Sequence, residues 1–235
     1  MQLDPPLAVG RLVKRYKRFL ADIETPSGML TVHCPNTGAM LGCADPGSEA
    51  WYSRSDNPKR KYPHTLEVVR TSTGLVGVNS ARANDLVAEA LGEDRVPELA
   101  GYAEVRREVA IPGERGRFDF MLSGATGTCY LEVKSLTLGL ADGRGAFPDA
   151  VSERAVRHVQ ALAHRVAEGD RAVLLFCVQH TGVRETTTAD DIHPDYGAAV
   201  REALDAGLEV FAYGCDIQRD QISLADRLPF TANPA

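Results

Sequence analysis

The sequence predicts two domains of different class: a small β-barrel over residues 1–80, and over residues 81–235 an α/β domain built on a mixed sheet. Three observations carry this. Short apolar runs of period two, set off by Gly, Pro and Asn turns, fill the first part of the chain. At ARANDLVAEALGE the apolar period lengthens to that of an amphipathic helix. RAVLLFCVQ, residues 171–179, is apolar throughout, as a central strand covered on both faces would be.

In the barrel, RFLADIE (18–24) alternates Phe19, Ala21 and Ile23 with Arg18, Asp22 and Glu24, and MLTVHC alternates Leu30, Val32 and Cys34. AWYS (50–53), LEVVRT (66–71) and GLVGVN (74–79) follow, separated by the turn-rich CPNTGAM, ADPGSE and SDNPKRK. About five short strands in roughly seventy residues suit a barrel of the oligonucleotide-binding (OB) type.

In the second part, Ala83, Leu86, Val87 and Ala90 share a helix face that ends near Gly92. Three strand candidates follow at 102–111, 117–124 and 128–136, joined by PGERG and ATG, which suit tight antiparallel turns. Pro148 and Asp149 open a long helix, with Asp149 as the expected N-cap and Val151, Ala155, Val159, Leu162 and Val166 as its apolar stripe. A further helix (DYGAAVREALDAG) and strand (LEVFAYG) complete the domain.

Composition sets the outer bounds. No apolar run approaches the roughly 18 residues that span a bilayer, and the first residues lack a charged and then apolar leader, so a cytoplasmic protein with no membrane partner is expected. Five cysteines, far apart and in apolar runs, are expected to be reduced core residues. The net charge of −6 conceals an asymmetry: residues 1–80 hold 10 Lys and Arg against 7 Asp and Glu, and the remainder 16 against 25. The basic residues of the barrel are clustered, with Arg15, Lys17 and Arg18 in RYKRF and Lys59, Arg60 and Lys61 in KRKY. Interleaved with aromatics, they suit a groove that neutralises phosphates and stacks bases, a solvated basic face being the plainer alternative.

The chemistry concentrates in two neighbouring strands. In CYLEVKS, Glu132 and Lys134 are two apart and share a face, while Leu131 and Val133 take the other. In RFDFML, Asp119 interrupts an apolar strand in the same way. Two carboxylates converging from adjacent strands are costly to bury unless a cation accompanies them, and Mg²⁺ (or Mn²⁺) with oxygen ligands removes that cost. Lys134 would orient a water or stabilise charge on phosphate. Glu89, on the preceding helix, is a candidate further ligand, with a solvent-facing helical Glu as the alternative. Arg154 and His158, one turn apart on the long helix, are candidates for leaning over the sheet toward a bound phosphate.

An Asp followed by Glu-x-Lys on the next strand resembles the PD-(D/E)XK nuclease superfamily, which implies a restriction-endonuclease-like sheet, although Phe118 stands where the superfamily name implies Pro. A resemblance over nearly the whole chain is to the sugar fermentation stimulation protein A family, carried by RYKRFLAD, HCPNTGAM, SDNPKRKYPHT, RFDFML, EVKS and FPDAVSERAVRH. That resemblance implies an N-terminal OB-like domain, a C-terminal nuclease-like domain, DNA binding without marked sequence preference, and a regulatory role in sugar, particularly maltose, utilisation. It places Asp119, Glu132 and Lys134 in the metal-binding and water-activating positions.

The expectation is therefore a DNA-binding protein with a nuclease-like site. A Mg²⁺-dependent DNA or RNA nuclease is the alternative, and RNA binding and a homodimer stay open. No helix-turn-helix pattern stands out to read a specific operator.

Overall fold

The computed structural model describes residues 1–233. Its N-terminal part is a barrel of β1 (Ala8–Tyr16), β2 (Leu20–Thr25), β3 (Gly28–His33), β4 (Glu49–Arg54), β5 (His64–Arg70) and the short β6 (Leu75–Gly77). The order β3-β2-β1-β4-β5-β6 closes on itself where His33 of β3 meets Thr65 of β5. Closure leaves few free strand edges and encloses Leu12, Ile23, Val32, Leu66 and Val76.

The barrel's first strand runs earlier than the alternation suggested. β1 and β2 form a hairpin whose turn contains Lys17 and Arg18, both in the left-handed region with φ of 50° and 60°. Phe19 leaves that turn 48% exposed, so it lies outside the barrel core where its alternation with Ala21 and Ile23 had placed it.

Next come α1 (Arg82–Gly92), β7 (Glu104–Ala110), β8 (Arg117–Gly124) and β9 (Gly127–Leu136). β10 (Leu138–Gly139), β11 (Arg144–Phe147), α2 (Glu153–Ala167), β12 (Arg171–Val178) and β13 (Glu185–Thr188) follow. α3 (Pro194–Asp205), β14 (Glu209–Ile217) and β15 (Ile222–Leu228) end the domain. The main sheet runs β15-β14-β12-β9-β8-β7, with β9, β12 and β14 parallel and the outer pairs antiparallel, and β10-β11-β13 form a small second sheet.

Alternate residues of the central strands feed two cores, as the pleat requires. Leu131, Val133, Val173 and Leu175 pack with Leu86, Val87 and Ala90 of α1. Tyr130, Leu174 and Phe176 pack with Val159 and Leu162 of α2 and Tyr196 and Val200 of α3. Leu7, Trp51 and Val68 of the N-terminal part join the first of these cores, so the barrel is seated on the α1 face. All five cysteines are buried and free.

The start of α2 departs from expectation. Ser152 is the N-cap, its Oγ accepting the Ala155 N–H at 3.2 Å, and Val151 is 68% exposed rather than part of the stripe. Asp149 instead crosses to the barrel, where its Oδ2 accepts the Met40 N–H at 2.9 Å. Among the described residues no helix is long and apolar enough to cross a membrane.

Candidate functional site

Strand β9 lies between β8 and β12, so a side chain at its centre is enclosed on both sides. Glu132 is 3% exposed there, an unusual place for a carboxylate without partners. Its Oε1 accepts from Lys134 Nζ at 2.5 Å and pairs with His158 Nδ1, which descends from α2 onto this face. Burial pushes the Glu132 carboxyl up, but Lys134 and His158 outweigh it and hold it below the ordinary range. The other oxygen, Oε2, is buried and has no partner.

Asp119 stands where β8 parts from β9. The β8–β9 ladder runs from Gly124↔Gly127 only as far as Phe120↔Leu131, while β8 continues against β7 through Val109↔Phe118. At the parting, the Asp119 carboxylate takes over the ladder's work: Oδ2 accepts the Val133 N–H at 2.8 Å, and Oδ1 accepts Asn84 Nδ2 at 2.7 Å. Burial, and then the nearby Glu132 charge, push this carboxyl up to about 6. Opposite Asp119 on the edge strand, between Arg107↔Phe120 and Val109↔Phe118, Glu108 is held at a φ of 53°. Non-glycine residues there carry roughly 1 kcal/mol or more of strain, which concentrates at functional sites.

The expected pair of carboxylates with Lys134 is thus brought together, and His158 joins it. Arg154 lies one turn behind, its Nε 3.4 Å from His158 Nε2. Beside them a cleft of about 500 Å³ opens between the β7–β8 hairpin tip and α2, lined by Arg115, Arg154, Arg157 and His158. Among the described residues these arginines form no ion pair, and the cleft's one acid, Glu114, faces His164 at 2.9 Å.

Two expected positions are corrected. Glu89 turns away from the pair: its Oε2 holds the Met1 amino group at 2.6 Å and Arg95 at 3.3 Å. Asn84, more than a turn earlier on α1, is the helix residue that reaches Asp119. Arg15 is half-buried against the barrel's own loops, donating to the backbone carbonyls of Arg18, Asn36, Gly38 and Ala39 at 2.8–3.2 Å. It ties down the HCPNTGAM loop, and both terminal nitrogens of its guanidinium are engaged there rather than held out toward a phosphate.

Of the remaining basic residues, Arg18 and Arg60 line grooves and the three lysines are exposed. Arg18 lines one of about 380 Å³ with Asn36, Thr37, Ser135 and Ser152, which runs beside the β9 end that bears Lys134. Lys59 and Lys61 are exposed on the β4–β5 loop, and Arg60, bonded to Thr65 Oγ1 at 2.8 Å, lines a larger pocket. Lys17 is exposed in the hairpin turn.

Sequence reasoning missed Asn84, Arg115 and Arg157. Asn84 is an ordinary first-turn residue until the sheet brings Asp119 beneath it, and the two arginines become a pair only when the hairpin folds over α2. Tyr196 was missed as well: its hydroxyl is buried without a partner, pushed far up by burial and then by the Glu132 charge.

Comparison with known proteins places both domains. The family model described as the sugar fermentation stimulation protein RE domain matches residues 81–221, and the one described as the SfsA N-terminal OB domain matches residues 13–78. A sugar fermentation stimulation protein homolog of Pseudomonas paraeruginosa is 52% identical over 232 residues, covering 97% of this chain and 99% of that protein. The homolog of Shewanella sp. strain MR-4 is 49% identical over the same shares. Pyrococcus furiosus SfsA, solved in complex with Ca²⁺, superposes with a TM-score of 0.88 over 98% of both chains at 21% identity.

Proposed function

The chain belongs to the sugar fermentation stimulation protein family, and we propose that it binds nucleic acid without marked sequence preference and holds a divalent cation, Mg²⁺ or Mn²⁺, in a nuclease-like site formed by Asp119 and Glu132. One observation carries this reading: Glu132 Oε2 is buried and unpartnered beside a second carboxyl raised to about 6. A buried acceptor left bare costs roughly 1–3 kcal/mol or more when charged, a cost that a bound cation relieves.

The donor set fits a hard ion. Two carboxylates are the usual protein contribution to a Mg²⁺ site, water and phosphate oxygens completing the shell. Among the described residues no group of three His, Cys, Asp or Glu gathers as a closed metal site would require. The Ca²⁺ held by the Pyrococcus furiosus relative, another oxygen-seeking ion, supports the same class. A bound cation would supply polarisation of a phosphodiester and a lowered pKa for water.

The chain's own residues do the rest. Val133 N–H and Asn84 fix the Asp119 carboxylate from two directions, and His158 fixes Glu132. Lys134, one pleat along and 12% exposed, presents its ammonium to a phosphate oxygen or an attacking water. Arg115, Arg154 and Arg157 receive neighbouring backbone phosphates, whose charge is the same for every sequence. The exposed Lys17, Lys59 and Lys61 and the groove-lining Arg18 extend this field along the barrel. DNA is the first substrate class to test and RNA the second.

A specific observation favours turnover over binding alone. A module that only grips phosphate has no use for two acidic groups and a lysine at its centre, and here Lys134 and Glu132 are in contact. Phosphodiester hydrolysis is the second reading. A regulatory role in sugar utilisation is the physiological setting the relatives' name suggests. Since strands separate α1, α2 and α3, with no helix-turn-helix among the described residues, such a role would act through non-specific binding or cleavage.

The test is cleavage and binding of labelled single- and double-stranded DNA and RNA with Mg²⁺, Mn²⁺ or EDTA, beside Asp119→Asn. Metal-dependent cleavage absent from the variant establishes a nuclease. Salt-sensitive binding without cleavage under any metal leaves the binding reading standing, and no binding to any of the four substrates overturns both.

A further inference from the structure

A second, larger cavity than the α2 cleft lies away from Asp119 and Glu132. It has a volume of about 850 Å³ and sits between the N-terminal segment 2–8, strands β4 and β5, and the first residues of α1. That is the size of a small-molecule site. Arg54, Arg60, His33 and His64 converge on it. Burial and then Arg60 lower the pKa of His33, and burial and then Arg54 that of His64, so both imidazoles sit under cationic neighbours. The pocket's buried acid, Glu67, is consumed by Arg82 at 2.9 Å, Ser53 at 2.6 Å and Asn79 at 2.8 Å. Asp4 is the other acid, exposed at the rim.

Cationic groups gathered in a concave site repel one another unless an anion joins them. Arg54 forms no ion pair among the described residues, the Arg60 guanidinium is bonded among them only to Thr65, and His64 Nδ1 is buried without a partner. Apolar side chains share the lining with these cationic groups. Tyr52 meets His64 edge-on at 5.7 Å between centroids, and Leu3, Pro5 and Pro6 of the N-terminal segment also line the cavity.

We propose that this pocket is a binding site for a small phosphate ester, its phosphate held by Arg54 and Arg60 and its organic part lying against Tyr52, Pro5 and Pro6. Guanidinium groups match phosphate oxygens in geometry and charge, and the aromatic and proline surfaces suit the ring of a nucleotide or a sugar. The phosphate ester has two sources, a free phosphorylated metabolite or a phosphate of a nucleic-acid strand, and both present the same group to the same arginines.

The test uses the full chain in EDTA, which removes any contribution from a cation at Asp119 and Glu132. Inorganic phosphate, adenosine 5′-monophosphate and glucose 6-phosphate are titrated while the ring C–H signals of His33 and His64 are followed by NMR. A saturable shift of both signals is expected with at least one ester, and Arg54→Gln should weaken it by about tenfold or more, the loss of one charged hydrogen bond. Among the described residues the Arg54 side chain makes no hydrogen bond or ion pair whose loss could unfold the strand it stands on, and Arg60→Gln serves as the second variant. Displacement of the ester by a short oligonucleotide assigns the site to a strand phosphate, and its absence to a free metabolite. No saturable shift up to roughly 10 mM of all three probes, or shifts indifferent to both variants, overturns the proposal. Asp119→Asn should bind the ester as the unaltered protein does, which separates this site from the nuclease-like one.

Discussion

Asp119 Oδ2 accepts the backbone N–H of Val133 at 2.8 Å at the point where β8 and β9 stop pairing. A side chain there does what a main-chain carbonyl does elsewhere in the sheet, and this keeps the carboxylate fixed beside Glu132 without a regular ladder. The arrangement also explains why the carboxyl can be raised while well supplied with donors: burial and the neighbouring charge outweigh two hydrogen bonds.

Stability should therefore depend on pH through Asp119. Its carboxyl goes from an ordinary 3.8 to about 6 on folding, so its protonated form favours the folded state. The contribution is complete below pH 3.8 and is lost as pH rises through 6, and at neutral pH the ionised group costs on the order of 3 kcal/mol. Asp119→Asn, whose amide can be met by a flipped Asn84, should flatten the stability profile of urea unfolding in EDTA between these values. Mg²⁺ or Mn²⁺ at pH 7.5 should raise the melting temperature of the unaltered protein and not of the variant. An equal rise in both would place the cation elsewhere.

His158 is expected to hold Glu132 rather than to contact solvent. The imidazole is 5% exposed and shares Glu132 Oε1 with Lys134. His158→Ala should cost roughly 2 kcal/mol in urea unfolding, the range for a lost hydrogen bond to a charged group together with a small cavity. Cation affinity should fall with it by about tenfold or more, as for other residues that orient a ligand. A variant equally stable and equally responsive to Mg²⁺ would show that Lys134 alone positions the carboxylate.

How far the sequence reached depends on which forces act locally. Alternation and turn chemistry located the barrel, the β7–β8–β9 meander and the central β12, because those patterns are written in adjacent residues. Asp119, Glu132 and Lys134 stood out because a charge within an apolar strand violates its own local pattern. Glu89 and Asn84 have no such mark: which of them meets Asp119 depends on the rotation of α1 over the sheet, set by Leu86, Val87 and Ala90 packing against residues far along the chain. Arg15 misled for the same reason, since a basic run on an exposed strand gives no sign that one guanidinium turns inward to a loop some twenty residues on. Asp149 follows Pro148 as a helix cap would, whereas a long-range bond to Met40 claims it.

Arg15 should behave as a structural residue. Its guanidinium satisfies four backbone carbonyls of the β1–β2 turn and the loop at 36–39. Arg15→Ala is expected to lose about 2–3 kcal/mol by denaturant unfolding, because several charged hydrogen bonds to a loop vanish together. Replacing Lys59 and Lys61 with Ala, both exposed, should leave stability within about 0.5 kcal/mol. Nucleic-acid affinity measured on the same samples should fall for the lysine pair. The reverse pattern would return Arg15 to the phosphate-binding surface.

The arginines of the α2 cleft give a prediction about salt. Arg115, Arg154 and Arg157 come from two elements and have no acidic partner among the described residues, so their charge is available to a strand. Each phosphate neutralised contributes about 0.9 to the slope of log affinity against log salt on duplex DNA, and about 0.7 on single strands. The triple Gln variant should lower that slope by roughly 2–3 and weaken binding for all sequences alike. The same variant keeps Asp119, Glu132, Lys134 and His158 intact, so cation binding followed by melting temperature should not change. A slope unaltered in the variant would mean that the barrel alone carries the strand, with the cleft facing away from its path. A slope that falls for one sequence only would contradict backbone recognition, because phosphates carry no sequence and their loss cannot select among bases.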